Sequence, residues 1–269
     1  SRPNPTRFSK EIELTDMPEG KFSIVILAAG KGKRMKNNDM PKVLAELAGK
    51  PLIGHVLEQV LKIGSGKIVI VVGHYKEMVI DYVNTYSQQN IYYAIQQEQL
   101  GTGHAVKQTE TYFENYGGDI LILCGDVPLL QSNSIIDFLK EHTTKYADCT
   151  VLSTIMPNPS GYGRIIRNEK GQFLKIIEEK DASESEKLVN EINSGVYIVN
   201  SKLLFDSINE LNNNNAQGEF YLTDIIQILV KKKHNVQAVV GPKFIELQGI
   251  NSPEDLETAE KYYNKLYKN

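Results

Sequence analysis

FSIVILAAGKGKRMKNNDMPK, residues 22–42, is the stretch from which the rest of the chain can be read. Its apolar run, residues 24–29, has the length and composition of a strand buried on both faces of a parallel sheet. Gly30 and Gly32 then let the backbone turn sharply and bring N–H groups to an anion without Cβ interference. Arg34 and Lys42 add a planar fork and a point charge, both suited to a polyphosphate. A phosphate-gripping turn at the carboxyl end of a strand is where open α/β sheets bind their ligands.

Two familiar phosphate loops do not fit. The dinucleotide fingerprint needs a third glycine where Met35 stands, and the ATPase loop needs G-x-x-x-x-G-K before Ser or Thr, a pattern absent here. The near miss Gly64-Ser65-Gly66-Lys67 runs into Ile68 and reads as a helix-to-strand turn. What remains, L-A-A-G-x-G-x-R-M with Pro41-Lys42 downstream, resembles the signature of sugar-nucleotide pyrophosphorylases and related nucleotidyltransferases.

Outward from that turn, strand and helix patterns alternate. Strands are expected at 24–29, 67–72, 91–95 and 119–124, and helices at 52–63, 77–86, 104–113 and 135–146. Such alternation specifies right-handed βαβ units and a mostly parallel sheet flanked by helices. After Thr150 the pattern changes to short strands at 149–155, 162–168, 172–178 and 192–199, as in a smaller antiparallel subdomain. Helices return at 202–211 and 220–230, strands at 236–240 and 244–247, and a last helix at 253–267. The fold class expected is therefore α/β, Rossmann-like, with a mixed sheet. No fixed-period repeat interrupts it.

The 269 residues suffice for one large α/β domain. A formal net charge of −3 gives no general footprint for nucleic acid, so a polyanionic ligand must be held by local cations. The apolar runs fall far short of a membrane span. Residues 1–21 read as a polar N-terminal extension lacking a signal peptide's apolar core, and 22–269 as the domain. Cys124 and Cys149 have no metal spacing and read as free thiols of a reducing compartment, so a cytoplasmic location is expected. His104 is placed on a helix near the site and given no ligand role.

Several strand ends carry polar residues with chemical use. Gln96, Gly101 and Thr102 lie between a strand and a helix, where an amide can both donate to and accept from a pyrimidine edge and a glycine admits the base. Asp126, after Gly125 and before Pro128, either caps the next turn or holds a divalent cation; the fixed turn favours the cation. Gly163 offers another close backbone approach, Glu178 a charged strand end, and Asn193 an amide inside an apolar strand, where it needs a partner. Asn251 is a second short oxygen ligand before the last helix, or that helix's cap.

LAAGKGKRM, PKVL, EQLGTGHAV, GDVPLL, GYGRI, EEKDA, EINSG and NNNAQGEFYLTD follow one another in an order and spacing that resemble one family. It is the uridylyltransferase half of the bacterial N-acetylglucosamine-1-phosphate uridyltransferases, and the likeness covers residues 22–266. The resemblance implies that Leu27, Ala28, Ala29 and Gly30 lie along the nucleotide and that Arg34 and Lys42 act on the triphosphate. It implies that Gln96, Gly101 and Thr102 read uracil, and that Cys124 and Gly125 border the nucleotide. Asp126 and Asn251 would hold Mg²⁺, while Gly163, Glu178 and Asn193 would contact the sugar. The substrates implied are UTP and N-acetylglucosamine-1-phosphate, with a homo-oligomer as the possible assembly and neither nucleic acid nor membrane as partner. Lys33 and Cys124 depart from the family pattern, which has a small hydroxyl residue and an aromatic there. A pyrophosphorylase for glucose-1-phosphate or another nucleotide, and a non-catalytic nucleotide-sugar binding domain, are the alternatives.

Overall fold

The computed structural model describes residues 22–30, 32, 35, 39–215 and 217–267. The extension 1–21, Lys33 and Arg34 lie outside these. The first half runs β1 (Phe22–Leu27), a small hairpin of β2 (Glu46–Leu47) and β3 (Lys50–Pro51), then α1 (Leu52–Ile63) and β4 (Ile68–Val72). It continues with α2 (Lys76–Asn84), β5 (Ile91–Ile95), α3 (Thr102–Lys107) and β6 (Asp119–Cys124). Next come α4 (Ser132–Thr144), β7 (Cys149–Ile155), β8 (Arg164–Arg167), β9 (Phe173–Ile177), α5 (Glu184–Lys187) and β10 (Glu191–Asn200). The chain closes with α6 (Ser201–Ile208), α7 (Asp224–Lys231), β11 (Val236–Val240), α8 (Phe244–Leu247) and α9 (Pro253–Tyr267).

Among the described residues, nine strands form one mixed sheet in the order β11-β7-β10-β6-β1-β4-β5, with β8 and β9 branching from β10. β1 pairs in parallel with β4 and β6, and β4 with β5; β10 runs antiparallel between β6 and β7. Side chains of the central strands alternate between two cores. Ile24, Ile26, Ile68, Ile70, Leu121 and Leu123 enter one, whereas Val25, Val69, Val71, Ile120 and Ile122 enter the other. A one-residue slip would exchange every one of them between faces, which locks the register. The antiparallel strands thus share the main sheet, and β8–β9 form its outgrowth.

The chain leaves β1 toward β4 and β5, then returns to the far side of β1 as β6 and departs toward β7. Loops from β1 and β6 therefore diverge, and the crevice between their carboxyl ends is the switch point where such sheets bind ligands.

Three expected elements differ. Residues 244–247, expected as a strand, form the single helical turn α8; four residues, three of them apolar, carry too little periodicity to separate the two. The helix expected over 220–230 begins only at Asp224. The N–H of Phe220 donates to Leu100 O (2.8 Å) and that of Leu222 to Thr102 Oγ1 (3.0 Å), which ties this segment to a distant loop. The helix expected over 104–113 breaks after Lys107 and resumes as a 3-10 turn, Glu110–Phe113.

Candidate active site

The sheet brings the first strand ends together directly. Leu27 and Cys124 are register partners, and the Gly125 N–H donates to Leu27 O (2.9 Å). A Cβ on Gly125 would lie 3.2 Å from Leu27 O and 3.3 Å from Val43, so glycine allows the two loops to close on each other. Ala28 is buried behind them. Leu27, Ala29, Gly30, Lys42, Gln96, Gly101, Thr102, Cys124 and Asp126 line one open cleft, joined by Val43, Gln99, Ala105 and Glu219. Gln99 donates to Ala29 O (3.3 Å), tying the 96–102 loop to the turn after β1. Gly32 sits at φ 60°, and a Cβ there would lie 2.6 Å from the Lys42 Cβ. The glycine turn is thus packed against the stem of the cation it accompanies.

Lys42 organises the floor. Its ammonium pairs with the Asp126 carboxylate and donates to Asn251 Oδ1 at 2.9 Å. Asn251 does not cap α9: Ser252 does, its Oγ accepting from the Asp255 N–H (3.2 Å) while the Asp255 carboxylate takes the N–H groups of Asn251 and Ser252. That leaves the Asn251 carboxamide free to face Lys42. The Ile250 N–H donates to Asp126 O (2.9 Å), and Ile250, Leu129 and Ala259 share a small core beneath. The C-terminal segment is thereby fixed against the β6 loop.

Two oxygens from distant parts of the chain therefore converge on one cation, here an ammonium. A carboxylate and a carboxamide oxygen are hard donors of the kind Mg²⁺ accepts, with phosphates and water completing its shell. Among the described residues no cluster of three or more His, Cys, Asp or Glu offers another cation site. The Cys124 thiol is pushed up to about 12 by burial and by Asp126, with Lys42 opposing, so it stays protonated and is no nucleophile.

A second group gathers beside the cleft. The Asn193 N–H donates to Gly163 O (2.9 Å) and its Nδ2 to the Tyr197 hydroxyl (2.7 Å). A Cβ on Gly163 would lie 3.4 Å from Glu178 Oε1. Partial burial, with Asp224 and Asp181 nearby, raises the Glu178 carboxyl above its ordinary pKa, while a hydrogen bond to Thr223 opposes the shift. The 219–224 segment thus reaches both groups, Glu219 lining the cleft and Thr223 touching Glu178.

Gly101 requires a different account from the sequence-based one. Its φ is 108°, and a Cβ would lie 2.5 Å from Phe220 O. It is the Phe220 backbone that demands glycine here. Gly103 N–H donates to that same oxygen (2.8 Å), completing a clamp between the 100–103 loop and the 219–222 segment. Sequence reasoning missed Val43 and Ala105 as lining residues; neither carries a polar signal. A separate cleft between α4 and β11 is lined by Asp137, Lys140, Glu141 and Val240 and holds none of the expected site residues.

The chain matches the Nucleotidyl transferase family over residues 23–263. It is 44% identical over 241 residues to the bifunctional protein GlmU of an Exiguobacterium species, covering 90% of this chain and 52% of that protein. Against GlmU of Latilactobacillus sakei the identity is 46% over 237 residues, covering 88% and 50%. The chain spans about half the length of the curated relatives it matches. Among solved structures, a UDP-glucose pyrophosphorylase complexed with UDP-glucose superposes with a TM-score of 0.74 at 20% identity, covering 91% of this chain and 98% of that one. HddC from Yersinia pseudotuberculosis, complexed with GMP-PN, gives 0.65 at 22%, covering 90% and 99%. At these identities the structural likeness concerns the fold.

Proposed function

The chain belongs to the nucleotidyl transferase family, and on that premise we propose that it joins UTP to N-acetylglucosamine-1-phosphate, releasing pyrophosphate and UDP-N-acetylglucosamine. The convergence of Lys42, Asp126 and Asn251 at the switch-point crevice supports this most. The identity to the GlmU proteins adds to that support, and the motif resemblance is what suggests the sugar and the nucleotide.

The nucleophile is a sugar-phosphate oxygen already ionised at neutral pH, so no general base is needed. The barrier lies in bringing two polyanions together and in the charge that develops on the departing pyrophosphate. Asp126 and Asn251 would hold Mg²⁺, which supplies charge neutralisation between the phosphates when bound. A divalent ion on these oxygens would repel the Lys42 ammonium from its present contact. Lys42, on its four-carbon stem, is then the group able to turn onto a phosphate oxygen, with Arg34 as the second cation on the leaving group. Leu27, Ala28, Ala29 and Gly30 border the nucleotide beside Cys124 and Gly125. Gln96 with Gly101 and Thr102 selects the base, and Gly163, Glu178 and Asn193 orient the sugar.

Pyrophosphate release from UTP and N-acetylglucosamine-1-phosphate with Mg²⁺ tests the reading. The expected result is turnover that Asp126→Asn reduces by about 10² to 10³ or more. The fold should survive that change, because an Asn amide oxygen still accepts from Lys42. Absence of pyrophosphate release by the unmodified chain would contradict the reading.

A further inference from the structure

We infer that His104 is a positioning residue for nucleobase choice, because it holds Gln96 so that only the amide oxygen faces the base; this rests on the UTP-using reaction proposed above. Gln96 follows β5, is 3% exposed and lines the cleft with Gly101 and Thr102. Its Nε2 lies 3.1 Å from Gly101 O and 3.1 Å from His104 Nδ1. A carboxamide has two N–H donors on nitrogen and acceptor capacity on oxygen alone. Gly101 O can only accept, so nitrogen must face it and the amide has one orientation. His104 Nδ1 accepts as well when the ring proton sits on Nε2; Gln108 Nε2, 3.3 Å from that nitrogen and already bonded to the His104 carbonyl, is the longer and competing contact for the ring's acceptor.

Both Gln96 donors are thereby spent on protein. Its Oε1 has no partner among the described residues and is the polar atom Gln96 can offer a ligand. Uracil carries a donor at N3, where cytosine carries a lone pair. A fixed acceptor matches the first and opposes the second. Removing the His104 acceptor leaves the second Gln96 N–H unspent, so that a donor becomes available to the base while the Gly101 bond is kept. His104 does not line the cleft; it borders a separate hollow with Lys107, Ile208 and Leu211. The ring is carried on α3, where Gln108 Nε2 donates to the His104 carbonyl (2.9 Å). It acts on the base only through Gln96.

The test is kcat/KM for UTP and for CTP, together with thermal midpoints, in the unmodified chain, His104→Phe and His104→Asn. Phe keeps a planar ring and removes the acceptor; Asn returns an oxygen acceptor near the Nδ1 position. The expected result is a UTP:CTP ratio lowered about tenfold in His104→Phe, the worth of one mispaired buried polar group, and largely recovered in His104→Asn. A purely structural role would depress both nucleotides together, so an unchanged ratio in His104→Phe overturns the inference. Should that variant not fold, His104→Ala carries the same test, and an unchanged ratio there is equally fatal. An unmodified chain that does not favour UTP defeats the proposed reaction itself, and is seen before any variant is made.

Discussion

Lys42 reaches across 84 and 209 positions of sequence to hold Asp126 and Asn251, and the proposed reaction turns on that one ammonium. The residue types were readable from sequence, since a cation after a glycine turn and oxygens at strand ends each suggest a ligand. That the cation would sit between the two oxygens was not, because no local pattern encodes a contact between distant loops. Glu178 carries a stability cost at this site. Its pKa is raised in the fold by partial burial and neighbouring carboxylates, so the charged form costs stability at pH values above that raised pKa. As pH falls through it, the native state takes up a proton before the unfolded chain does, and the cost disappears. Glu178→Gln should therefore raise the melting temperature modestly at pH 7 to 8, since the residue keeps solvent access. The gain should shrink toward the ordinary carboxylate range, about pH 4, while use of the sugar phosphate falls. Melting curves across pH check this; a gain that grows on acidification would contradict it.

Among the elements, the long periodic ones followed their patterns: α1 occupies the expected 52–63, and the central strands fall within a residue or two of expectation. Failures sit where a tertiary contact overrides local preference. Phe220 and Leu222 give their N–H groups to Leu100 O and Thr102 Oγ1, so the run after the Asn stretch becomes a clamp instead of a helix start. The clamp explains Gly101, and it separates two glycines that look alike in sequence. Gly101→Ala meets both a φ of 108° and a contact at 2.5 Å from Phe220 O, whereas nothing lies within 4 Å of a Cβ on Gly30. Gly101→Ala should cost about 1–3 kcal/mol or more in denaturant unfolding and reduce turnover by loosening the 219–222 segment. Gly30→Ala should unfold like the unmodified chain, with any loss confined to nucleotide binding. Equal stability of the two variants would show that the clamp does not hold in solution.

Over the whole molecule, one mixed sheet with two cores delivers loops from β1, β5, β6 and the segment before α9 to a single crevice. The alternation of strands and helices made that architecture legible, and the change of pattern after Thr150 announced the antiparallel strands. It did not announce that β10 would insert between β6 and β7 in the main sheet, since strand order depends on long-range pairing. Among the described residues no helix is long and apolar enough to cross a membrane. The same assembly places the 219–224 segment against both the 100–103 loop and Glu178, so the two groups share one structural support. The most direct test of the proposed reaction is competition for limiting UTP between equal concentrations of N-acetylglucosamine-1-phosphate and glucose-1-phosphate, with initial rates of both products measured. The expected result is UDP-N-acetylglucosamine in clear excess; equal or faster formation of UDP-glucose would contradict it.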